Sequence, residues 1–372
     1  DMKKELCVVI TVTNWDEVPR MRHEITHQLI RKYNVLYLQL FEKSGVIRRQ
    51  RKISDGLIID KIGFGFPGIG RIFKYIPILK KLYNFFMVKQ VRYRIKQLTN
   101  KKNATLFNFQ YDFPEINSAI EFTKKIYYCN DDFVNQNLSI SKKEVARKRD
   151  IQSKVISGST HVITVSYPLK DTLSKYTKKV NVILSGHNFD LSISKKHFIK
   201  KSEMIKVCYM GFLNEGIATE WLIYILKNEN IHLTIIGPIG IKKFKDFISK
   251  ISNVKHINYL TGTDLQYELL EQDVLLMPYS SSVENEVTTV PAKLFQYLAV
   301  GKPIVSSTLQ NLVPLPDKFV YKSDNKEFFM ENIIKSKLED CENLKMERIT
   351  YSSGHNWESR GDELFKILGI DE

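Results

Sequence analysis

Apolar residues come in short runs separated by polar stretches. The first run, LCVVITVT at 6–13, predicts a strand. After a loop, Met21, Ile25 and Leu29 recur every four residues, the spacing of one helix face, and Pro19 stands near the first turn, where its missing N–H is no loss. Asn34 ends that helix and VLYLQL at 35–40 predicts a second strand. Strand, helix and strand within about 35 residues make a βαβ unit, and hence the start of a parallel sheet with right-handed crossovers. Further strand-like runs are ATLFNF (104–109), KIYYCN (125–130), HVITVS (161–166) and VNVILSG (180–186).

A second series follows the polar stretch 187–204. IKVCYMG, IHLTIIG, VKHINYL, DVLLMPY and KPIVSS predict strands, separated by the helical segments TEWLIYILKN, IKKFKDFISK, DLQYELLEQ and PAKLFQYLAV, with Gly301 as the C-cap of the last. The chain is therefore α/β, with two Rossmann-like domains: 1–187, a linker at 188–204, and 205–350, followed by a C-terminal helix at 351–372 expected to pack back toward the first domain. Ligands in such sheets lie beyond the carboxyl ends of the strands, so chemistry is expected in the cleft between the two domains.

Composition narrows the class. With 372 residues and 43% hydrophobic content, the chain can bury two cores. Cys7, Cys129, Cys208 and Cys341 fit no paired metal spacing, and the first three sit in strand-like runs, which suggests buried thiols in a reducing cytosol. No apolar stretch reaches the ~20 residues of a membrane span, and DMKKEL lacks the apolar core of a signal peptide. The net charge of +15 lies in the first half: Lys+Arg against Asp+Glu is 34 to 17 over 1–190 but 22 to 24 over 191–372. Between Asp60 and Asp112 eleven Lys/Arg alternate with aromatics and no acid occurs. Within that tract Ile72, Tyr75, Ile76, Leu79, Leu82, Tyr83 and Phe86 follow helical spacing, predicting a core stripe flanked by a solvated basic face. Such a segment suits an anionic membrane surface or nucleic acid, but no nucleic-acid-binding motif accompanies it.

Two motifs suggest chemistry. HEITH at 23–27 matches H-E-x-x-H, which in a zinc protease places two imidazoles one helical turn apart on the metal. No H-x-x-G-x-x-H continuation or downstream glutamate ligand follows, and the helix belongs to a βαβ unit, so the protease reading is disfavoured. The second motif is DVLLMPYSSSVENEVTTVPAKLFQYLAVGKPIVSS at 273–307. Here a strand, two threonines, the free N–H groups of a helix start and Lys293 in its first turn form a site for a diphosphate. The plain alternative is an ordinary connection with a solvated lysine.

The pattern P-Y, variable loop, P-x-K-L-F-x-Y-L-A-x-G-K-P-I-V resembles the nucleotide-sugar segment of GT-B glycosyltransferases, close to the family-4 group and to bacterial cell-wall and exopolysaccharide enzymes of the TuaH and GumK type. NWDEVPRMRHEITHQLIRKYNVLYL, IYYCNDDF, STHVITVSYPLKDTL, NVILSGHNFD, VCYMGFLNE, LTIIGP and HNWESR fit in the same order. The resemblance implies transfer of a sugar from a nucleotide diphosphate donor, by family frequency a UDP-sugar, to a hydroxyl of a glycan or lipid-linked glycan in bacterial surface polysaccharide synthesis. It implies no cofactor beyond the donor, no metal and no nucleic acid, with the enzyme cytoplasmic and peripheral on the inner face of the membrane. The donor residues it implies are Gly211, Phe212, Gly237, Pro238, Tyr259, Leu260, Tyr279, Thr288, Thr289, Lys293 and Gln296.

Thr288 and Gln296 stand where retaining family-4 enzymes usually carry two glutamates. The Lys293/Gln296 spacing is more like the GumK branch, which transfers glucuronic acid with inversion. An inverting transfer needs a general base at the acceptor hydroxyl. Asp131, directly after the strand KIYY, is the preferred candidate; Asp132 is the alternative and is also read as a helix cap. Neither belongs to a D-x-D metal motif. Arg20, Arg22, His23 and His187 are the acceptor-side candidates, with His187 also read as a linker cap. A nucleotide-sugar epimerase of the same fold and a basic nucleic-acid-binding protein are the alternative functions.

Overall fold

The computed structural model describes residues 4–40, 50–63, 77–99, 103–134, 141–197, 203–280, 290–308 and 313–370. The chain divides into two compact units, one formed by Asp1–Ile183 with Gly361–Glu372 and the other by Leu184–Arg360.

The first unit is built on an eight-stranded sheet. Its strands are β1 (Leu6–Thr11), β2 (Asn34–Leu40), β3 (Arg51–Ser54), β4 (Leu57–Ile62), β5 (Ala104–Asn108), β6 (Lys124–Cys129), β7 (His161–Thr164) and β8 (Val180–Val182). Their order is β3-β4-β2-β1-β5-β6-β7-β8, and every pair is parallel except β3 with β4. All six residues of β1 are buried, as expected of a strand covered on both faces. Leu6, Val8 and Ile10 join Leu36, Leu38, Leu106 and Phe113 in one core cluster.

The hairpin β3–β4 is an element that the hydrophobic pattern did not predict. It turns at Asp55–Gly56, where Gly56 adopts φ +88°, a conformation that favours glycine. Helix α1 (Met21–Leu29) follows β1 and buries Ile25 and Leu29. Helix α2 (Pro77–Leu98) corrects the predicted core stripe: Leu82 and Phe86 are exposed, while the buried side is Asn84, Met87, Val88 and Val91. Ile72, Tyr75 and Ile76 of that stripe lie outside the described residues. Three further helices of this unit are α3 (Glu115–Ala119), α4 (Lys142–Ser157) and α5 (Tyr167–Leu173).

The second unit has six parallel strands: β9 (Ile205–Met210), β10 (Ile231–Ile236), β11 (Val254–Ile257), β12 (Val274–Met277), β13 (Ile304–Ser307) and β14 (Val320–Ser323). Their order is β11-β10-β9-β12-β13-β14. The order reverses direction between β9 and β12, the crevice where an open α/β sheet takes its ligand. The helices are α6 (Leu191–Lys196), α7 (Thr219–Ile225), α8 (Lys242–Ile248), α9 (Gly262–Leu270), α10 (Lys293–Ala299), α11 (Lys326–Glu339), α12 (Glu342–Ser353) and α13 (Trp357–Ile367). Helix α6 lies inside the expected linker 188–204; its cap Asp190 accepts from the Ser192 N–H at 2.8 Å. The Gln266 side chain donates to the Asp190 carbonyl and to Ser194 Oγ, tying α6 to α9.

At the far end of α13, Leu364, Phe365 and Leu368 are buried in the first unit. Asp362 pairs at 2.6 Å with Arg31, just past the end of α1, and the Arg31 guanidinium lies 5.5 Å from the Phe365 ring centroid. Cys7, Cys129 and Cys208 are buried thiols, and Cys341 is exposed.

Candidate active site

Of the donor candidates, Gly211 and Phe212 follow β9, Gly237 and Pro238 follow β10, Tyr259 and Leu260 follow β11, Tyr279 follows β12, and Lys293 and Gln296 lie on α10. β9 runs out at Met210 into Gly211, which turns with φ +130°; β10 runs out into Gly237, with φ +131°. A Cβ on Gly237 would lie 2.4 Å from the Gly211 carbonyl oxygen, so these two loop backbones touch and only glycine fits. A Cβ on Gly211 would lie 3.1 Å from Lys293 Nζ. Any side chain at Gly211 would therefore crowd the ammonium.

Lys293 opens α10, and the buried Leu294, Phe295, Tyr297 and Leu298 fix that helix beneath the sheet edge. Its Nζ sits 4.2 Å from the Tyr209 ring centroid and 5.3 Å from that of Tyr279. Two aromatic faces stabilise a cation but supply no counter-charge. The lysine retains intermediate exposure as a residue, yet its head lies deep enough that burial pulls the ammonium down to about 7. Burial also pushes the Tyr209, Tyr279 and Tyr297 hydroxyls and the Cys208 thiol up, so all four stay neutral near pH 7.

The tyrosines are held in place. Tyr209 donates to the Phe212 carbonyl at 3.1 Å, Tyr297 Oη accepts from the Met210 N–H at 3.0 Å, and the Tyr279 N–H donates to Ser307 Oγ at 3.0 Å. Tyr209 and Tyr297 were not among the sequence candidates; only the face that Tyr209 takes in β9 reveals it as the floor under Lys293.

Two aromatic side chains stand open beyond the ends of β9 and β11, the strands on either side of β10: Phe212 is 55% exposed and Tyr259 46%. They provide planar surfaces where a base could stack. Pro238 is exposed and Leu260 half-buried nearby in sequence, and Gln296 is half-buried on the first turn of α10. Thr288 and Thr289, like Glu284 and Glu286, lie outside the described residues.

In the first unit a separate cluster forms at the carboxyl ends of β1 and β6. Arg22 of α1 is 8% exposed and donates from Nη1 to Thr13 Oγ1 at 2.5 Å and from Nη2 to Asn130 Oδ1 at 3.2 Å. Its guanidinium lies 5.7 and 5.8 Å from the Phe109 and Phe133 ring centroids. Asp131 follows Asn130, is half-buried, and accepts the Asp132 N–H at 2.9 Å. The carboxylate of Asp131 favours the charged form of Arg22, while burial works against it more strongly and draws the guanidinium down. Asp132 is 3% exposed, and α4, the next described helix, is capped by Ser141 instead. Arg20 is exposed and pairs with Glu17 at 3.0 Å.

The two histidine candidates do structural work. His23 is 3% exposed; its Nδ1 accepts from the Arg20 N–H at 2.9 Å, so Nε2 carries the proton and donates to the Asn14 carbonyl at 3.1 Å. His187 is 1% exposed; its Nδ1 accepts from the Phe189 N–H at 3.2 Å and Nε2 donates to the Ser352 carbonyl at 3.0 Å. Both ring nitrogens of each imidazole are thus engaged by backbone groups of the protein itself. The same bonds remove His23 as a metal ligand, and its ring packs with His27 and Tyr37 around Trp15. Among the described residues no group of three or more His, Cys, Asp or Glu could hold a metal ion, and no helix is long and apolar enough to cross a membrane.

Two parallel-sheet units, the second with its candidate ligand residues at the strand-order reversal, define the class: the chain has the GT-B fold of glycosyltransferases. Sucrose-phosphate synthase from Thermosynechococcus elongatus superimposes with a TM-score of 0.73 at 10% identity, covering 98% of each chain. Anabaena HepE in complex with UDP and glucose gives 0.66 at 11% identity over 98% of this chain and 99% of its own. In sequence, the chain is similar to a putative teichuronic acid biosynthesis glycosyltransferase, TuaH of Bacillus subtilis, at 23% identity over 273 residues, 65% of this chain and 68% of that protein. No protein-family model matches the chain.

Proposed function

We propose that this protein is a glycosyltransferase that takes a sugar from a UDP-linked donor and passes it to a hydroxyl of a glycan or lipid-linked glycan, in the synthesis of a bacterial surface polysaccharide at the inner face of the membrane. One observation carries the reading: the Lys293 ammonium, held between Tyr209 and Tyr279 beside Gly211 at the ligand crevice of the second sheet, has no acidic partner among the described residues. A diphosphate supplies an anion. Phe212 and Tyr259 then offer faces to the base and Gln296 an amide to the ribose hydroxyls. Thr288 and Thr289 complete the diphosphate site in this reading. The likeness to TuaH supports the polysaccharide role.

For the chemistry, Asp131 takes the proton of the attacking acceptor hydroxyl, and the charge growing on the leaving diphosphate is met by Lys293 and the loop N–H groups. Asp131 lies close enough to Arg22 to favour the charged form of the guanidinium, which puts a cation beside the proposed base. A uronic acid donor fits the Lys293/Gln296 pair, since an ammonium favours a second carboxylate nearby.

The test is a thermal-shift screen across UDP-, GDP- and dTDP-sugars. A ligand present at a hundred times its Kd stabilises the native state by about 2.7 kcal/mol, which for a unit of this size is a rise of roughly 5–10 °C. UDP-sugars should give that rise and Lys293→Ala should abolish it. An unchanged shift in the variant would remove the lysine from the site, and no shift with any nucleotide sugar would end the donor reading.

A further inference from the structure

Helix α2 has 22 residues and no Asp or Glu. One side is anchored in the first unit through Met87, Val88 and Val91, all under 5% exposed, and through the Arg94 ion pair with buried Asp60 of β4. The other side is unusual for a solvated face. Ile78 is 79% exposed, Leu82 46%, Phe85 53%, Phe86 39% and Tyr93 56%. Lys81, Lys89, Arg92 and Lys96 are exposed as well. At 3.6 residues per turn these nine side chains fall within an arc of about 140°. Along the helix the aliphatic and phenyl groups concentrate in the first half, and three of the four cations lie in the second. Lys89 Nζ lies 4.6 Å from the Phe85 ring centroid, so its stem runs along the aromatic surface.

We propose that this face of α2 docks on an anionic lipid bilayer, with the helix lying in the headgroup plane. Ile78, Leu82, Phe85 and Phe86 enter the boundary between headgroups and acyl chains, Tyr93 sits at headgroup level, and the four cations meet lipid phosphates. From Ile78 to Lys96 the helix presents about 27 Å of such surface. Charge complementarity selects the occupant: an acid-free arc with four cations repels a basic partner and attracts an anionic one. The apolar half decides between a membrane and a nucleic acid. RNA would use the cations and stack on the aromatics, but Ile78 and Leu82 give it nothing, whereas acyl chains absorb them. The inference rests on the membrane part of the proposed function and names its surface; vesicle binding requires no donor and no turnover, so a failure to float would leave the sugar-transfer reading standing.

The experiment is co-flotation of the full chain with phosphatidylcholine vesicles, with and without phosphatidylglycerol, at low and high salt, alongside binding to single-stranded RNA at the same salts. The protein should float with the anionic vesicles at low salt and be released by high salt. At about fivefold per cation, replacing Lys81, Lys89, Arg92 and Lys96 together with Gln should lower partitioning by several hundred-fold. Phe85→Ser with Phe86→Ser should cost more than about tenfold while leaving the charge untouched. These positions are exposed, so far-UV circular dichroism should match that of the parent. In Phe85→Trp, indole emission should shift to the blue on adding anionic vesicles. Failure to float, equal flotation with neutral vesicles, flotation unaffected by either variant, or tight RNA binding with no vesicle binding would each overturn the proposal.

Discussion

Replacing Lys293 with methionine keeps the length of the stem between Tyr209 and Tyr279 and removes only the ammonium. In the ligand-free protein that ammonium is drawn down to about 7, against 10.5 for a free lysine. A diphosphate beside it restores the charged form, so donor binding above pH 7 takes up a proton. At pH 8 the free site is about nine-tenths deprotonated, and uptake should approach 0.9 proton per bound UDP-sugar; at pH 6 it should fall to about 0.1. Between pH 6.5 and 8.5 the protonated fraction drops about 25-fold, and donor affinity should weaken by a similar factor.

The sign for folding is the opposite. Between about pH 7 and 10.5 the unfolded chain holds a proton on Lys293 that the folded protein lacks, so the ligand-free protein gains stability from this group as pH rises through that window. Isothermal titration calorimetry with UDP-glucose in two buffers of different ionisation enthalpy measures the uptake directly. The neighbouring Tyr209, Tyr279 and Cys208 are pushed upward and do not titrate in this range, so the signal belongs to the lysine. Lys293→Met should bind weakly with no uptake at either pH. Zero uptake at pH 8 in the parent protein, or the same uptake in the variant, would refute the assignment.

Two further outcomes follow from the two units separately. Asp131→Asn should lower the transfer rate by about 10²- to 10⁴-fold while leaving the UDP-sugar thermal shift unchanged, measured as UDP release against melting temperature; a parallel loss of donor binding would mean that the residue is not acting as a base. Gly237→Ala forces a Cβ onto the Gly211 carbonyl at a positive φ and should cost at least about 1–3 kcal/mol, seen as a lower melting temperature together with a lost donor shift; a variant as stable as its parent would show that these loops have room to part.

The strands buried on both faces were legible because a parallel sheet writes itself as unbroken apolar runs, as in LCVVI and VLYL. Lys293 was legible for a similar reason: a lysine in the first turn of an otherwise apolar helix needs an explanation. Other features depend on facts no spacing encodes. Helix α2 carries apolar groups on both sides, so its periodicity has no contrast and the expected stripe fell partly on the exposed side, at Leu82 and Phe86. The β3–β4 hairpin went unpredicted because the runs around Asp55–Gly56 are short and interrupted by Asp60 and Lys61. The roles of His23 and His187 were hidden because their partners are backbone atoms of Arg20, Asn14, Phe189 and Ser352, which any side chain would supply equally.

The division of the chain has a consequence for how the molecule is made. The second unit is one continuous stretch, Leu184–Arg360, while the first is interrupted and is completed only by the segment beginning at Gly361. A ribosome therefore delivers all of the second unit before it delivers Asp362, Leu364 and Phe365, which close over Arg31 and α1. The unit begun first is the last to be finished. Until then the Arg31 guanidinium has neither the Asp362 carboxylate nor the Phe365 ring beside it, and the first unit waits incomplete on the nascent chain while the second folds.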